Sequence, residues 1–237
     1  WMKKTTVIIQ ARMGSKRLPG KIMRKIMGKP MIEYLIERIS KSKLVDDLII
    51  ATSDKKENLQ LIEFLKTKNL NYFIGDEEDV LSRYYFAAKI NNVKNIVRIT
   101  ADCPLIDPEV VDNTINKFLK SSADYSSNIF PRSFPKGLDT EVFSFETLEK
   151  TFNEATSKYE REHVTPYIRE CGKFKISNYS LSHDYSKTRL TVDWEEDFIL
   201  VEKIFNFFNP KILFSYSEIL SFLDKQPELL ELNKHHQ

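Results

Sequence analysis

An α/β fold, built on a mainly parallel sheet with helices on both faces, is predicted for this 237-residue chain by three observations. Short apolar runs of strand type alternate with segments whose apolar residues recur at three and four. Strands alternating with helices in this way form a parallel sheet covered on both sides. After Asp124 the rhythm changes, so the expected organisation is one domain over 1–237 with an inserted α+β region at about 125–185.

The elements follow in order. Val7 to Gln10 is the first strand. Pro30 opens a helix in which Met31, Tyr34, Leu35, Arg38 and Ile39 share a side, since a proline in the first turn lacks only an N–H that has no partner there. Leu48 to Thr52 is a strand, and Leu61, Phe64 and Leu65 mark a helix ending near Asn69. Tyr72 to Ile74 is a third strand, Val80 to Ile90 a helix, and Asn95 to Ile99 a fourth strand. Pro108 starts a helix that runs through Leu119. Residues 125–140, with Asn128, two prolines and Gly137, show no clear period. A strand is expected over Glu141–Phe145, a helix over Phe145–Asn153, a helix over Glu160–Glu170 and a strand over Phe174–Tyr179. Thr191 to Trp194 leads into a helix carrying Phe198, Leu200, Val201, Ile204, Phe205 and Phe208, and a short helix covers Ser217–Leu223.

Composition narrows the function classes. Basic and acidic residues number 36 and 34, so no broad nucleic-acid-binding face is indicated. No stretch approaches the ~20 apolar residues of a membrane helix, and the N-terminus has no signal-peptide pattern. Trp1 ahead of Met2 reads as an added residue. Cys103 and Cys171 have no metal-site or CxxC spacing, which fits two reduced thiols in a cytoplasmic protein.

The segment IIQARMGSKRLPGK leaves the first strand and gathers Arg12, Lys16, Arg17 and Lys21 around Gly14 and Gly20. In open parallel sheets ligands bind where strands end. Glycines there let backbone N–H groups approach an anion, Arg12 can grip phosphate oxygens in bidentate fashion, and Lys21 adds a mobile point charge. The loop therefore suits a polyphosphate. It matches neither GxGxxG nor GxxxxGK[ST]. A solvated basic turn is the plain alternative.

ARMGSKRLPGK resembles the nucleotide-binding loop of the sugar cytidylyltransferases, the group that includes the CMP-Kdo and CMP-sialic acid synthetases, with Lys16 where Thr is usual. GKPMIEYLIERI, EEDVLSRYYFAA, RITADCPLIDP, GLDTEVFSFETLE, REHVTPYI and RLTVDWEEDF extend the resemblance to the SpsF-like spore-coat polysaccharide branch, over residues 5 to about 205. The resemblance implies a nucleotide-diphospho-sugar transferase-like (Rossmann-like) fold and an Mg²⁺-dependent transfer of CMP from CTP to a sugar or sugar-acid acceptor. It also implies a homodimer with 125–185 as its contact; from the charge balance and the lack of a long apolar stretch, no nucleic acid and no membrane partner are expected.

Nucleotidyl transfer needs a hard cation held by carboxylates. Asp102 follows the fourth strand and Asp193 follows the apolar stub Leu190–Val192, which puts both at strand ends on the rim of the first loop. The resemblance places the metal ligands at the same pair, with Arg12 and Lys21 on the phosphates. As alternatives, Asp102 can cap a turn and Asp193 the following helix, although Asp107 before Pro108 is the better cap. Asp197 is expected as a first-turn acid favoured by the helix dipole. The nucleotide side is expected to include backbone groups of Ala11, Arg12 and Met13, with Gly14, Ser15, Arg83, Thr100 and Ala101. Arg83 has an ion pair with Glu77, Glu78 or Asp79 as its alternative. Asp139, Glu141, Arg161, Glu162, His163 and Arg189 are the acceptor-side candidates, His163 alternatively being a packed surface residue. Tyr125, Phe130, Phe134 and Tyr159 are read as core or dimer contacts. A metal-dependent GT-A-type glycosyltransferase is a second reading, opposed by the lack of Asp-x-Asp between 90 and 110. A non-catalytic nucleotide-binding scaffold is a third.

Overall fold

A computed structural model describes residues 4–237, so Trp1 lies outside the described residues. The strands are β1 (Thr5–Gln10), β2 (Lys25–Ile26), β3 (Lys29–Pro30), β4 (Asp47–Ser53), β5 (Tyr72–Gly75), β6 (Asn95–Thr100), β7 (Tyr125–Ser127), β8 (Glu141–Ser144) and β9 (Ile176–Asn178). The helices are α1 (Met31–Ile39), α2 (Leu59–Thr67), α3 (Val80–Ile90), α4 (Pro108–Ser121), α5 (Phe145–Glu154), α6 (Lys158–His163), α7 (Pro166–Glu170), α8 (Glu195–Phe208) and α9 (Tyr216–Asp224).

Seven strands form one sheet in the order β5-β4-β1-β6-β8-β7-β9. β5, β4, β1 and β6 run parallel, whereas β8 is antiparallel to both β6 and β7. The sheet is thus mixed, as expected of its class. The 125–185 region adds no separate layer; β7, β8 and β9 extend the same sheet.

Side chains alternate across the sheet with period two. Val7, Ile9, Ile50 and Ile99 enter the core shared with α1, α4, α8 and α9. Ile8, Ile49, Ala51 and Ile96 enter the opposite core, under α3 and α5. Arg38 shares the apolar side of α1 and is fully buried there. Its guanidinium donates to the carbonyls of Leu105, Ile106, Ile212 and Phe214, which binds α1 to the segments after β6 and α8. Burial lowers its pKa to about 10.

Three local readings change. The Glu160–Glu170 helix is two helices, because Val164 between them adopts φ 70°. β7 forms inside a stretch without sequence periodicity. A two-residue hairpin, β2–β3, turns through Met27 and Gly28, both at positive φ, the geometry that closes a two-residue turn between antiparallel strands.

Candidate active site

β1 pairs with β4 on one side and with β6 on the other. The chain runs from β1 to β4 and β5, then crosses back over β1 to β6. The crevice at the carboxyl ends of β1 and β6 is therefore the point where the winding reverses, the usual ligand position in such sheets. Gln10 and Thr100 are register partners at that point.

Two connected cavities open there, of about 420 and 760 Å³. They share Gln10, Ala11, Arg12, Lys16 and Glu162. The smaller adds Ser15, Arg17, Lys21, Thr100, Ala101, Asp102 and Asp193. The larger adds Gly14, Glu77, Asp79, Arg83, Arg161 and His163, among others. Each lies within the size range of small-ligand sites.

The first loop is pinned from both ends. Ala11 N donates to Ala51 O at 3.0 Å, and Met13 N donates to the buried Asn58 Oδ1 at 2.8 Å. Gly20 takes φ 68° to start the single turn that carries Lys21. A Cβ on Gly14 would stand 2.6 Å from Glu57 Oε1, so this backbone runs close under a carboxylate. Met13 contributes its backbone and does not line the cavities.

Lys21 points inward. Its Nζ donates to Val192 O at 2.7 Å and reaches Asp193 Oδ1 at 3.4 Å. Arg17 Nη2 donates to the same oxygen at 3.0 Å and its guanidinium lies 5.2 Å from the Trp194 ring centre. Arg12 lines both cavities and is paired at 3.5 Å with Glu77 of the larger one. Of the two cations expected on the phosphates, only Lys21 stands beside the acids.

Asp102 follows the end of β6 and accepts from the Thr100 hydroxyl. It caps no helix; Asp107 does so for α4, accepting from Glu109 N at 2.9 Å. Asp193 is not at a strand end, because Leu190–Val192 is held by bridging instead: Leu190 N donates to Lys136 O at 2.7 Å and Val192 N to Asp102 O at 2.8 Å. That last bond brings the two acidic segments side by side. Asp193 is also relieved of capping α8. Asp197, from the first turn of that helix, reaches back to accept from Asp193 N at 2.9 Å and Trp194 N at 3.0 Å. Burial pushes the Asp197 carboxyl up, but Arg189, the Asp193 amide and Asn233 outweigh it and hold it below the usual carboxylate range. Asp102, Asp193 and Thr100 line the same cavity, and their oxygens are donors of the kind Mg²⁺ takes.

The acceptor-side candidates separate. Arg161 and His163 line the larger cavity. Arg161 is committed there to Asp79, at 2.8 Å, and to Phe152 O, at 2.7 Å. His163 packs on Tyr159 with ring centres 4.8 Å apart. Asp139 is outside the cavity walls, in a bidentate pair with Arg132 at 2.6 and 2.8 Å. Arg189 is buried behind Asp193, bonded to it and to Asp197. Glu141 is buried as well. It accepts from Arg98 at 2.6 Å, Thr165 at 2.6 Å and the Tyr125 hydroxyl. Burial raises the Glu141 carboxyl, and Arg98 with the two hydroxyls more than offsets this, leaving it below its usual value. Arg83 forms no ion pair of the expected kind; it donates to Asp76 O at 2.8 Å and Glu77 O at 2.7 Å.

Gln10 and Asn58, which sequence reasoning left unassigned, belong to the site; Arg17 from the basic loop and Glu162 from the acceptor-side candidates line the smaller cavity with Gln10. Arg98 Nη2 donates to Gln10 Oε1 at 2.9 Å. An arginine has donors only, so the amide nitrogen of Gln10 is the group left for the cleft. Gln10 could have been found from its place at the end of β1; Asn58 carried no local signal.

A family model for cytidylyltransferases matches residues 6–229. An uncharacterized protein of Methanocaldococcus jannaschii is 41% identical over 232 residues, 95% of this chain and 93% of its own. The spore coat polysaccharide biosynthesis protein SpsF of Bacillus subtilis is 30% identical over 229 residues, 93% of this chain and 94% of SpsF. A solved cytidylyltransferase structure from Leptospira borgpetersenii superposes with a TM-score of 0.91 at 35% identity, covering 96% of this chain and 97% of the other.

Proposed function

The chain belongs to the cytidylyltransferase family, and on that premise we propose that it transfers CMP from CTP to a sugar or sugar-acid hydroxyl with Mg²⁺, releasing pyrophosphate for surface polysaccharide synthesis. Nucleotidyl transfer comes with the family; the metal is inferred from the residues. The polysaccharide role follows the name of the Bacillus subtilis relative. The sugar-acid class follows the likeness of the first loop to CMP-Kdo synthetases. A cytoplasmic location fits a nucleotide substrate and two free thiols.

In the reaction an acceptor hydroxyl attacks the α-phosphorus, its proton is lost, and the bond to the pyrophosphate oxygen breaks. No side-chain nucleophile is required, since positioning and charge stabilisation carry phosphoryl-type transfer. Mg²⁺ held by Asp102 and Asp193 would neutralise charge on the triphosphate and on the departing pyrophosphate. Lys21 and Arg17, both beside Asp193, would take phosphate oxygens in exchange for its carboxylate. The Arg12 side of the cleft has room for the nucleoside.

One observation carries this reading: Lys21 from the first loop meets Val192 O and Asp193, while Val192 N is bonded to Asp102. Pyrophosphate release should be measured with CTP, UTP, ATP and GTP, in Mg²⁺ or EDTA, over a panel of sugar acids that includes 3-deoxy-manno-octulosonate. Release from CTP alone, dependent on Mg²⁺ and on a sugar acid, is expected. Equal release from all four nucleotides would remove CTP selectivity, and activity untouched by EDTA would remove the metal.

A further inference from the structure

The last residues of the chain close over the turn that carries Asp193. Asn233 lies beyond the span matched by the family model, yet it is buried. Its Nδ2 donates to Asp197 Oδ1 at 2.8 Å and to Arg189 O at 3.2 Å. Asp197 accepts in turn from the amides of Asp193 and Trp194 and from Arg189 Nε and Nη2, at 3.2 and 2.9 Å. Arg189 Nη2 also reaches Asp193 Oδ2 at 3.2 Å. The direction of the Asp193 carboxylate is therefore set from behind by a chain of donors and acceptors that starts at Asn233. A stack supports the same turn from outside: His236 lies parallel to Trp194, ring centres 4.6 Å apart, with its ring nitrogen 3.2 Å from Glu196.

Both bonds from the Asn233 amide leave its own segment, one to the Asp197 carboxylate and one to the Arg189 carbonyl. They reach the two residues that orient Asp193. We propose that Asn233 is a positioning residue, through which the C-terminal segment holds Asp197 and the Asp193 turn in the orientation that metal binding requires. The inference rests on Asp193 being a metal ligand, as in the reading above.

The test uses the full chain, with Mn²⁺ as the spectroscopic probe and CTP as the nucleotide. Free and bound Mn²⁺ are measured by electron paramagnetic resonance in the presence of CTP. CTP affinity in EDTA and the thermal midpoint are measured alongside. Groups that touch a metal ligand typically cost 10–100-fold in affinity when removed. Asn233 stands one contact further out, so Asn233→Ala should raise the Mn²⁺ Kd by roughly three- to tenfold. CTP affinity in EDTA should stay within about twofold, because the amide does not reach the nucleotide cavity. A purely structural role would lower the thermal midpoint and leave that split unchanged. A folded Asn233→Ala chain with wild-type Mn²⁺ affinity overturns the proposal. If Asn233→Ala does not fold, Asn233→Asp decides. It keeps the shape and sets an oxygen against Asp197, so a comparable loss supports the role and unchanged affinity overturns it. A wild-type chain that binds CTP but no Mn²⁺ overturns the metal reading of Asp193 and this inference with it; a loss of Mn²⁺ binding confined to the variants, with CTP affinity kept, separates the role of Asn233 from that reading.

Discussion

Lys21 and Asp193 meet across 172 positions of sequence, and that meeting decides what each can do. Lys21 is mostly enclosed, with its ammonium aimed at the acids, so its charge acts where solvent screening is weak. Lys21→Met keeps the stem and removes the charge. It should lower kcat/KM for CTP by about 10²–10³, the usual cost of one preorganised donor to a developing anion, with little change in the thermal midpoint. Steady-state kinetics and a melt check this; an activity loss that merely tracks unfolding would refute it. Lys21, Asp102 and Asp193 were legible because their motifs are local in sequence. Arg17 was visible as a cation but not as the partner of Asp193. Asn58 was not legible, since its bond to Met13 N spans 45 positions and no spacing rule reaches that far. Arg189 and Glu141 were legible as charged residues near the right motifs. Only burial shows that they serve Asp193 and Arg98 rather than a ligand.

Elements with a strong period came through from the sequence nearly residue for residue, from β1 through α4. The short ones did not, because their shape is set by distant backbone. The stretch Leu190–Val192 looks like a strand by composition, yet it is fixed by bonds to Lys136 and Asp102. Gly137 makes that docking possible. Its φ is +111°, and a Cβ there would stand 2.6 Å from Leu190 C and Thr191 N. Gly137→Ala should therefore destabilise the chain by about 1–3 kcal/mol through backbone strain, with any clash adding to that. It should also weaken catalysis by shifting Asp193. Urea denaturation and CTP turnover test this, and wild-type values for both would refute it. The division of α6 from α7 at Val164 has the same origin. Nothing in REHVTPYI announces a positive φ; the adjoining Thr165 hydroxyl donates to the buried Glu141.

Across the whole molecule, buried charge links regions far apart in sequence. Glu141 and Asp197 both titrate below ordinary carboxylates, so the folded chain holds their protons less readily than the unfolded one. Their contribution to stability is then complete above an unfolded pKa of about 4 and is lost as pH falls through the folded values. The thermal midpoint should be nearly level from about pH 7 to 5 and drop below about pH 4; a maximum in strong acid would contradict this. The outer strand β9 leaves Ile176 exposed at one edge of the sheet, and the exposed Phe130 donates its amide to Asn178 of the same strand at 3.1 Å. We expect the 125–185 region to pair two chains, so light scattering should give twice the chain mass, and Ile176→Lys should reduce it. The parallel half of the sheet was readable from its βα rhythm. In the other half, β8 and β9 fall inside the strands expected at 141–145 and 174–179, whereas β7, three residues in a stretch without a period, was not readable. Last, Arg98 leaves the floor of the cleft with a fixed polarity. Hydrogens of the Gln10 amide face whatever rests above it, so an oxygen is welcome there and an ammonium group would meet them head-on. Amino-substituted sugars should therefore be poor substrates wherever their nitrogen falls over that amide, and Gln10→Glu, which reverses the polarity, should narrow the gap.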